Sequence, residues 1–146
     1  MSKNTHQVET PHGFLKHSQE FLEAADLVLR DKTEVSFPGY FLLGRSLELA
    51  FKAFLLKKGL SIKKLRSKEY GHNLGALLKA SMENGLAQIV LFEPIEVGTI
   101  QLLSHDYMQK RLEYRETGQT YYLPFIDVTH RVAHRLAHGL SEFCAE

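Results

Sequence analysis

Near the C-terminal end of this chain, arginine and histidine recur at a spacing that proton and phosphate chemistry can use. His130, His134 and His138 stand four apart, and Arg131 and Arg135 form a second row beside them. On a helix, which advances about 100° per residue, the two rows share one side of the rod. Phe125, Val128, Val132, Leu136, Leu140 and Phe143 collect on the other side. The pattern predicts a helix over Pro124 to Phe143 that buries its apolar stripe and offers imidazole and guanidinium groups to water, a ligand or a second chain. Arg131 and His138 are almost two whole turns apart, so their side chains point the same way, with backbones about 10 Å apart along the axis. Cleavage of RNA by its own 2′-hydroxyl needs a proton acceptor near that hydroxyl and positive charge on the scissile phosphate. Histidine titrates in the working range, and arginine presents a planar fork to phosphate. Such a reaction needs no metal. The same spacing also suits an arginine and a histidine that merely decorate an exposed face.

Imidazoles four apart can also chelate one ion. Zinc would need further ligands, and the lone cysteine, Cys144, lies six residues beyond His138. Arg135 follows His134, so no HExxH arrangement exists, and the arginines oppose a cation. Neither a metal nor a cofactor is expected.

Two further groups of basic residues are candidates for weak RNA contact. The cluster Lys57, Lys58, Lys63, Lys64, Arg66 and Lys68 can follow a nucleic-acid backbone. It can equally be a solvated connector whose lysines are favoured at a helix C-terminus. Lys110, Arg111 and Arg115 alternate with Tyr107 and Tyr114, and Tyr121 and Tyr122 follow close by. Basic and aromatic residues together can hold single-stranded RNA, and tyrosines at helical spacing can also edge a core. His72 reads as a capping or packing residue at the start of a helix.

The elements that must position these groups are predicted to be helices. At 146 residues the chain is long enough for one domain with a real core. Hydrophobic content of 44% and charged content of 24% are those of a soluble globular protein. A net charge of +1 gives no global attraction to nucleic acid, so any such binding must come from local patches. A single cysteine excludes an internal disulfide and points to a reducing cytosol. The opening MSKNTHQVETPHG has no apolar h-region, and no apolar run reaches the length of a membrane span. The expectation is a cytoplasmic protein without membrane association.

Residues 1–10 read as a flexible polar tail, and 11–146 as one helical domain. Thr10 and Pro11 form a helix start, with Phe14, Phe21, Ala25 and Val28 repeating at helical spacing to about Arg30. Ser36 and Pro38 open a second helix, Gly39 to Lys58, closed by Gly59. Its apolar circumference predicts a place in the middle of a bundle. A third helix follows YGHNL, burying Leu74, Leu77 and Leu78. Val90 to Phe92 is strand or helix, which periodicity cannot decide over so few residues. Pro94 starts a fourth helix lined by Ile100, Leu103, Tyr107 and Tyr114, and a loop turning at Gly118 leads to the last helix. The architecture expected is an all-α bundle of about five helices.

Three stretches, YFLLGRSLELAFKAFLLKKG, GHNLGALL and the terminal RVAHRLAHG, together make the chain resemble the HEPN family of small all-α domains. The resemblance spans about residues 14–143. Many HEPN proteins are metal-independent ribonucleases of toxin–antitoxin, phage-defence and RNA-processing systems. They carry an arginine and a histidine separated by four to six residues, often completed across a homodimer. Arg131 and His138, separated by six and followed by Gly139, match that pattern at its upper edge, with His134, Arg135 and His130 as supporting groups. The resemblance implies a homodimer acting on RNA, with an antitoxin or other partner protein. Family members without the motif imply the other reading, a non-catalytic module that binds RNA, a nucleotide or a partner protein. A third reading is a structural dimer in which the histidine faces pack together and separate near pH 5 to 6 as imidazoles become charged.

Overall fold

The computed structural model describes residues 9–32 and 34–146, so most of the expected tail lies outside the described residues. Six helices follow in chain order: α1 (Pro11–Leu29), α2 (Phe37–Lys57), α3 (Ile62–Leu65), α4 (Leu74–Glu83), α5 (Pro94–Met108) and α6 (Ile126–Gly139), with a 3₁₀ turn at Leu86–Gln88. There is no strand among the described residues, and none of their helices is long and apolar enough to cross a membrane.

The helix starts follow from local chemistry. Thr10, Ser36, Ser61 and Asn73 each accept a backbone N–H from the first turn of α1, α2, α3 and α4, satisfying donors that the helix itself leaves open. Glu93 and Glu96 form a reciprocal capping box at the start of α5. Gly59 and Gly85 take positive φ where α2 and α4 end, a conformation in which a side chain would be strained.

α2 is the central rod. It buries residues on all sides, including Leu43, Leu47, Ala50, Phe51, Phe54 and Leu55, and it packs against α1, α4, α5 and α6. α1 lies along it most extensively, and the Ser18 hydroxyl donates to the Ser46 carbonyl at 2.6 Å where the two helices meet. At Gly44 a Cβ would collide with the Tyr107 ring, so this glycine lets α5 approach α2 closely. Leucines from α4 and Ile100 and Leu103 from α5 complete one continuous core. Each such side chain contributes about 1.5–3 kcal/mol by leaving water.

Four details differ from the sequence reading. α6 is shorter than predicted at both ends, and Phe125 precedes it with 79% of its surface exposed. The buried stripe of α6 is Thr129, Val132, Ala133, Leu136 and Ala137, rotated toward small residues that let the helix sit close to α2. α5 ends at Met108, so Tyr114 lies beyond it and is exposed rather than lining its face. Val90–Phe92 is neither strand nor helix; it is an irregular segment laid against α6, where a Cβ on Gly139 would come within 3.0 Å of Val90.

Candidate functional site

α6 crosses the bundle with its polar side outward, as the histidine and arginine rows require. Its start is tied to α2, since the Tyr40 hydroxyl donates to the Pro124 carbonyl at 2.5 Å. Its far end is tied to α1, where Gln19 donates to the Ala137 carbonyl at 3.0 Å. Both Arg131 and His138 are exposed, two turns apart on this one continuous helix.

The five polar residues of α6 nevertheless divide into different environments. Arg131 donates through Nε to Glu96 Oε2 at 3.0 Å and through Nη2 to Glu93 Oε1 at 3.1 Å. Arg135 donates to Glu96 Oε1 and to the Leu91 carbonyl. One wholly buried carboxylate, Glu96, thus links both guanidinium groups and the backbone N–H of Glu93. Burial pushes its carboxyl upward, but the Glu93 N–H and the two arginines outweigh that and hold it below the ordinary value. His130 turns away toward α1, with Nε2 at 2.6 Å from Asp26 Oδ1. That pair lines a groove of about 720 Å³ that also includes Tyr40 and Asp127. His134 and His138 face each other with ring centroids 4.6 Å apart, and both are exposed. No group of three or more His, Cys, Asp or Glu among the described residues is arranged to hold a metal ion. Cys144 is buried, and burial pushes its thiol up to about 11, although Lys57 opposes the shift.

The secondary basic candidates do not form one patch. Lys63 and Lys64 lie on α3 and Arg66 follows it; Lys64 bonds Glu69 at 2.7 Å, and Arg66 pairs with Glu9 at 3.6 Å. Arg111 is folded against buried Asp106 at 2.7 Å and covers the Tyr121 ring, which packs on Phe37. Arg115 lies over that same Phe37 ring at 4.8 Å. Phe37 begins α2 and α3 follows its end. A helix of 21 residues spans about 30 Å, so the two basic groups belong to opposite ends of the bundle.

A second polar cluster escaped the sequence reading. Glu48, in the middle of α2, is only 2% exposed and is surrounded by donors. Oε1 accepts from the Tyr107 hydroxyl at 2.6 Å and lies 2.9 Å from His72 Nδ1. Oε2 accepts from Lys52 at 2.7 Å and lies 3.5 Å from Arg45. Burial raises the Glu48 carboxyl, yet Lys52, His72 and Tyr107 together bring it below the ordinary value. Burial and the adjacent carboxylate drive the Tyr107 phenol far above its usual range. His72 is therefore not the cap of α4, a role Asn73 fills; it is a bridge from that loop to α2. One signal was present in the sequence. Arg45, Glu48 and Lys52 recur at i, i+3 and i+7 within an otherwise apolar helix, and a charge there must find partners.

Compared with family models, curated proteins and solved structures, the chain matches none.

Proposed function

We propose that this chain is a metal-independent endoribonuclease of the HEPN type, working as a cytoplasmic homodimer in defence or RNA processing. The observation that carries the reading is the exposed side of α6, where Arg131 and His138 stand two turns apart on one rigid helix. In this reaction the 2′-hydroxyl oxygen of RNA attacks the adjacent phosphorus and the bond to the 5′ oxygen breaks. A cyclic phosphate and a 5′-hydroxyl remain. His138 takes the 2′-hydroxyl proton, and a second copy's histidine in the shared cleft returns one to the leaving oxygen. Arg131 holds the scissile phosphate through donors it does not spend on Glu93 and Glu96. Arg135 and His134 support the site. The purified chain should cut RNA in EDTA, and His138→Ala or Arg131→Ala should lower the rate by about a hundredfold or more. Equal cleavage by wild type and both variants would overturn the assignment.

A specific observation favours a second reading, a non-catalytic module for RNA, a nucleotide or a partner protein such as an antitoxin. Both arginines of α6 are already paired with carboxylates from α5 and its cap. This reading expects no turnover, and binding that weakens with salt and on Lys63→Glu or Arg115→Glu.

A further inference from the structure

The polar side of α6 carries histidines of two kinds. His130 is tied to α1, with Nε2 at 2.6 Å from Asp26, and its ring centroid lies 6.2 Å from that of His134. His134 and His138 are exposed and have no carboxylate partner among the described residues. They stand one helical turn apart, with ring centroids separated by 4.6 Å and ring planes tilted by 44°. Two imidazoles in that relation can share an ion. Each must bring one nitrogen to within about 2.0–2.1 Å of it, which leaves those nitrogens about 3 Å apart. Rings with centroids 4.6 Å apart reach that separation by a small turn of each side chain.

In the sequence, the neighbouring arginines argue against a cation. The fold removes that objection. Arg131 pairs with Glu93 and Glu96, and Arg135 pairs with Glu96, so the two guanidinium charges are balanced by two carboxylates. The end of α6 adds an attraction of its own. His138 lies in its last turn, where open carbonyls carry partial negative charge and favour a cation. Neutral imidazole suits zinc(II), copper(II) and nickel(II), whereas magnesium and calcium require oxygen ligands. We propose that His134 and His138 form a two-histidine site for a divalent transition-metal ion. No third His, Cys, Asp or Glu among the described residues is arranged to complete it, so the other positions fall to water and the site is open. The consequence for cleavage rests on the nuclease reading above. The ion takes the lone pair that His138 needs for the 2′-hydroxyl proton, and it stops the reaction rather than assisting it.

The test uses the full chain without a histidine tag. Zinc(II), copper(II) and magnesium are titrated by calorimetry, and the zinc titration is also followed through ¹⁵N ring signals of labelled histidine. Zinc should shift the signals of His134 and His138 saturably and leave that of His130 in place. Copper(II) should bind more tightly than zinc, and magnesium should not bind. His134→Ala and His138→Ala alter exposed side chains and should fold normally. Each should weaken zinc binding about a hundredfold, because the remaining imidazole loses the help of its neighbour. His130→Ala should leave the affinity unchanged. Zinc should also raise the urea midpoint of the wild type but not of His138→Ala, since only the folded helix holds the pair in register. Zinc affinity undiminished in either variant, or reduced equally by His130→Ala, would overturn the proposal. None of these readouts needs RNA. Cleavage that continues at saturating zinc would count against His138 as the base and leave the metal site standing.

Discussion

The exposed face of α6 and the interior cluster around Glu48 are built from the same residue types, arginine, histidine and glutamate, but they use them in opposite ways. At the α6 face the buried carboxylate of Glu96 on α5 holds the arginines, and His134 and His138 stack on each other without a carboxylate partner among the described residues. Around Glu48 the carboxylate holds the histidine together with a lysine and a tyrosine, and the arginine stands at its edge, 3.5 Å away. The difference lies in which group is made rigid. An anchored guanidinium is a fixed positive charge beside imidazoles that Glu96 does not hold, whereas an anchored imidazole has one defined nitrogen to present. Burial differs as well. Glu48 and Lys52 are both deep in the core, while the partners of Glu96 remain partly in water.

That contrast sets an order of expected effects. Glu48→Ala should be the most damaging change, costing about 3–5 kcal/mol in urea unfolding, because it strands Lys52 in the core and leaves the Tyr107 hydroxyl without its acceptor. Replacing Glu48 and Lys52 together by leucine and methionine should recover most of that loss; no recovery would mean that packing, not charge, dominates the region. Gly44→Ala should cost about 1–3 kcal/mol by forcing the Tyr107 ring away from α2, again read by urea unfolding. Glu96→Ala should cost less than Glu48→Ala, about 1–2 kcal/mol, since Arg131 and Arg135 can turn to solvent when their carboxylate is removed. A loss as large as that of Glu48→Ala would erase the distinction between the two regions.

Acid should act on both regions with the same sign. The Glu48 and Glu96 carboxyls are held below the ordinary value of 4.5 in the folded chain. Their contribution is therefore fully present above that value and is lost as pH falls through the lower folded values. Unfolding free energy should decline on acidification below about pH 5, and the decline should be shallower in Glu48→Gln than in wild type. The smallest effect belongs to Phe125→Ala, which should change stability by no more than about 0.5 kcal/mol, because that side chain lies outside the core.

Periodicity alone was enough for the helices and for the outward side of α6, because amphipathic spacing and capping residues act over a few neighbours. It placed Val132, Leu136 and Leu140 in the core and Arg131, His134 and His138 outside. It overextended α6 to Phe125, since an apolar residue directly before a helix looks the same in sequence whether or not anything packs on it. His72 shows the sharper gap: its position suggested a capping or packing role, Asn73 is the cap, and the ring joins a carboxylate 24 residues away that spacing could not indicate.

The all-helical architecture, the central place of α2 and the polar flank of α6 were thus determined by the chain's own pattern, through interactions a few residues in range. Tertiary structure alone decided which charges are spent. Glu96 meets Arg131 across 35 residues and Glu48 meets Tyr107 across 59, and only packing of distant helices brings such groups within hydrogen-bond reach. Ion pairing acts over a few ångströms in space and carries no trace in linear spacing, so the same arginine can read as a free phosphate fork in sequence and stand beside a buried carboxylate in the fold.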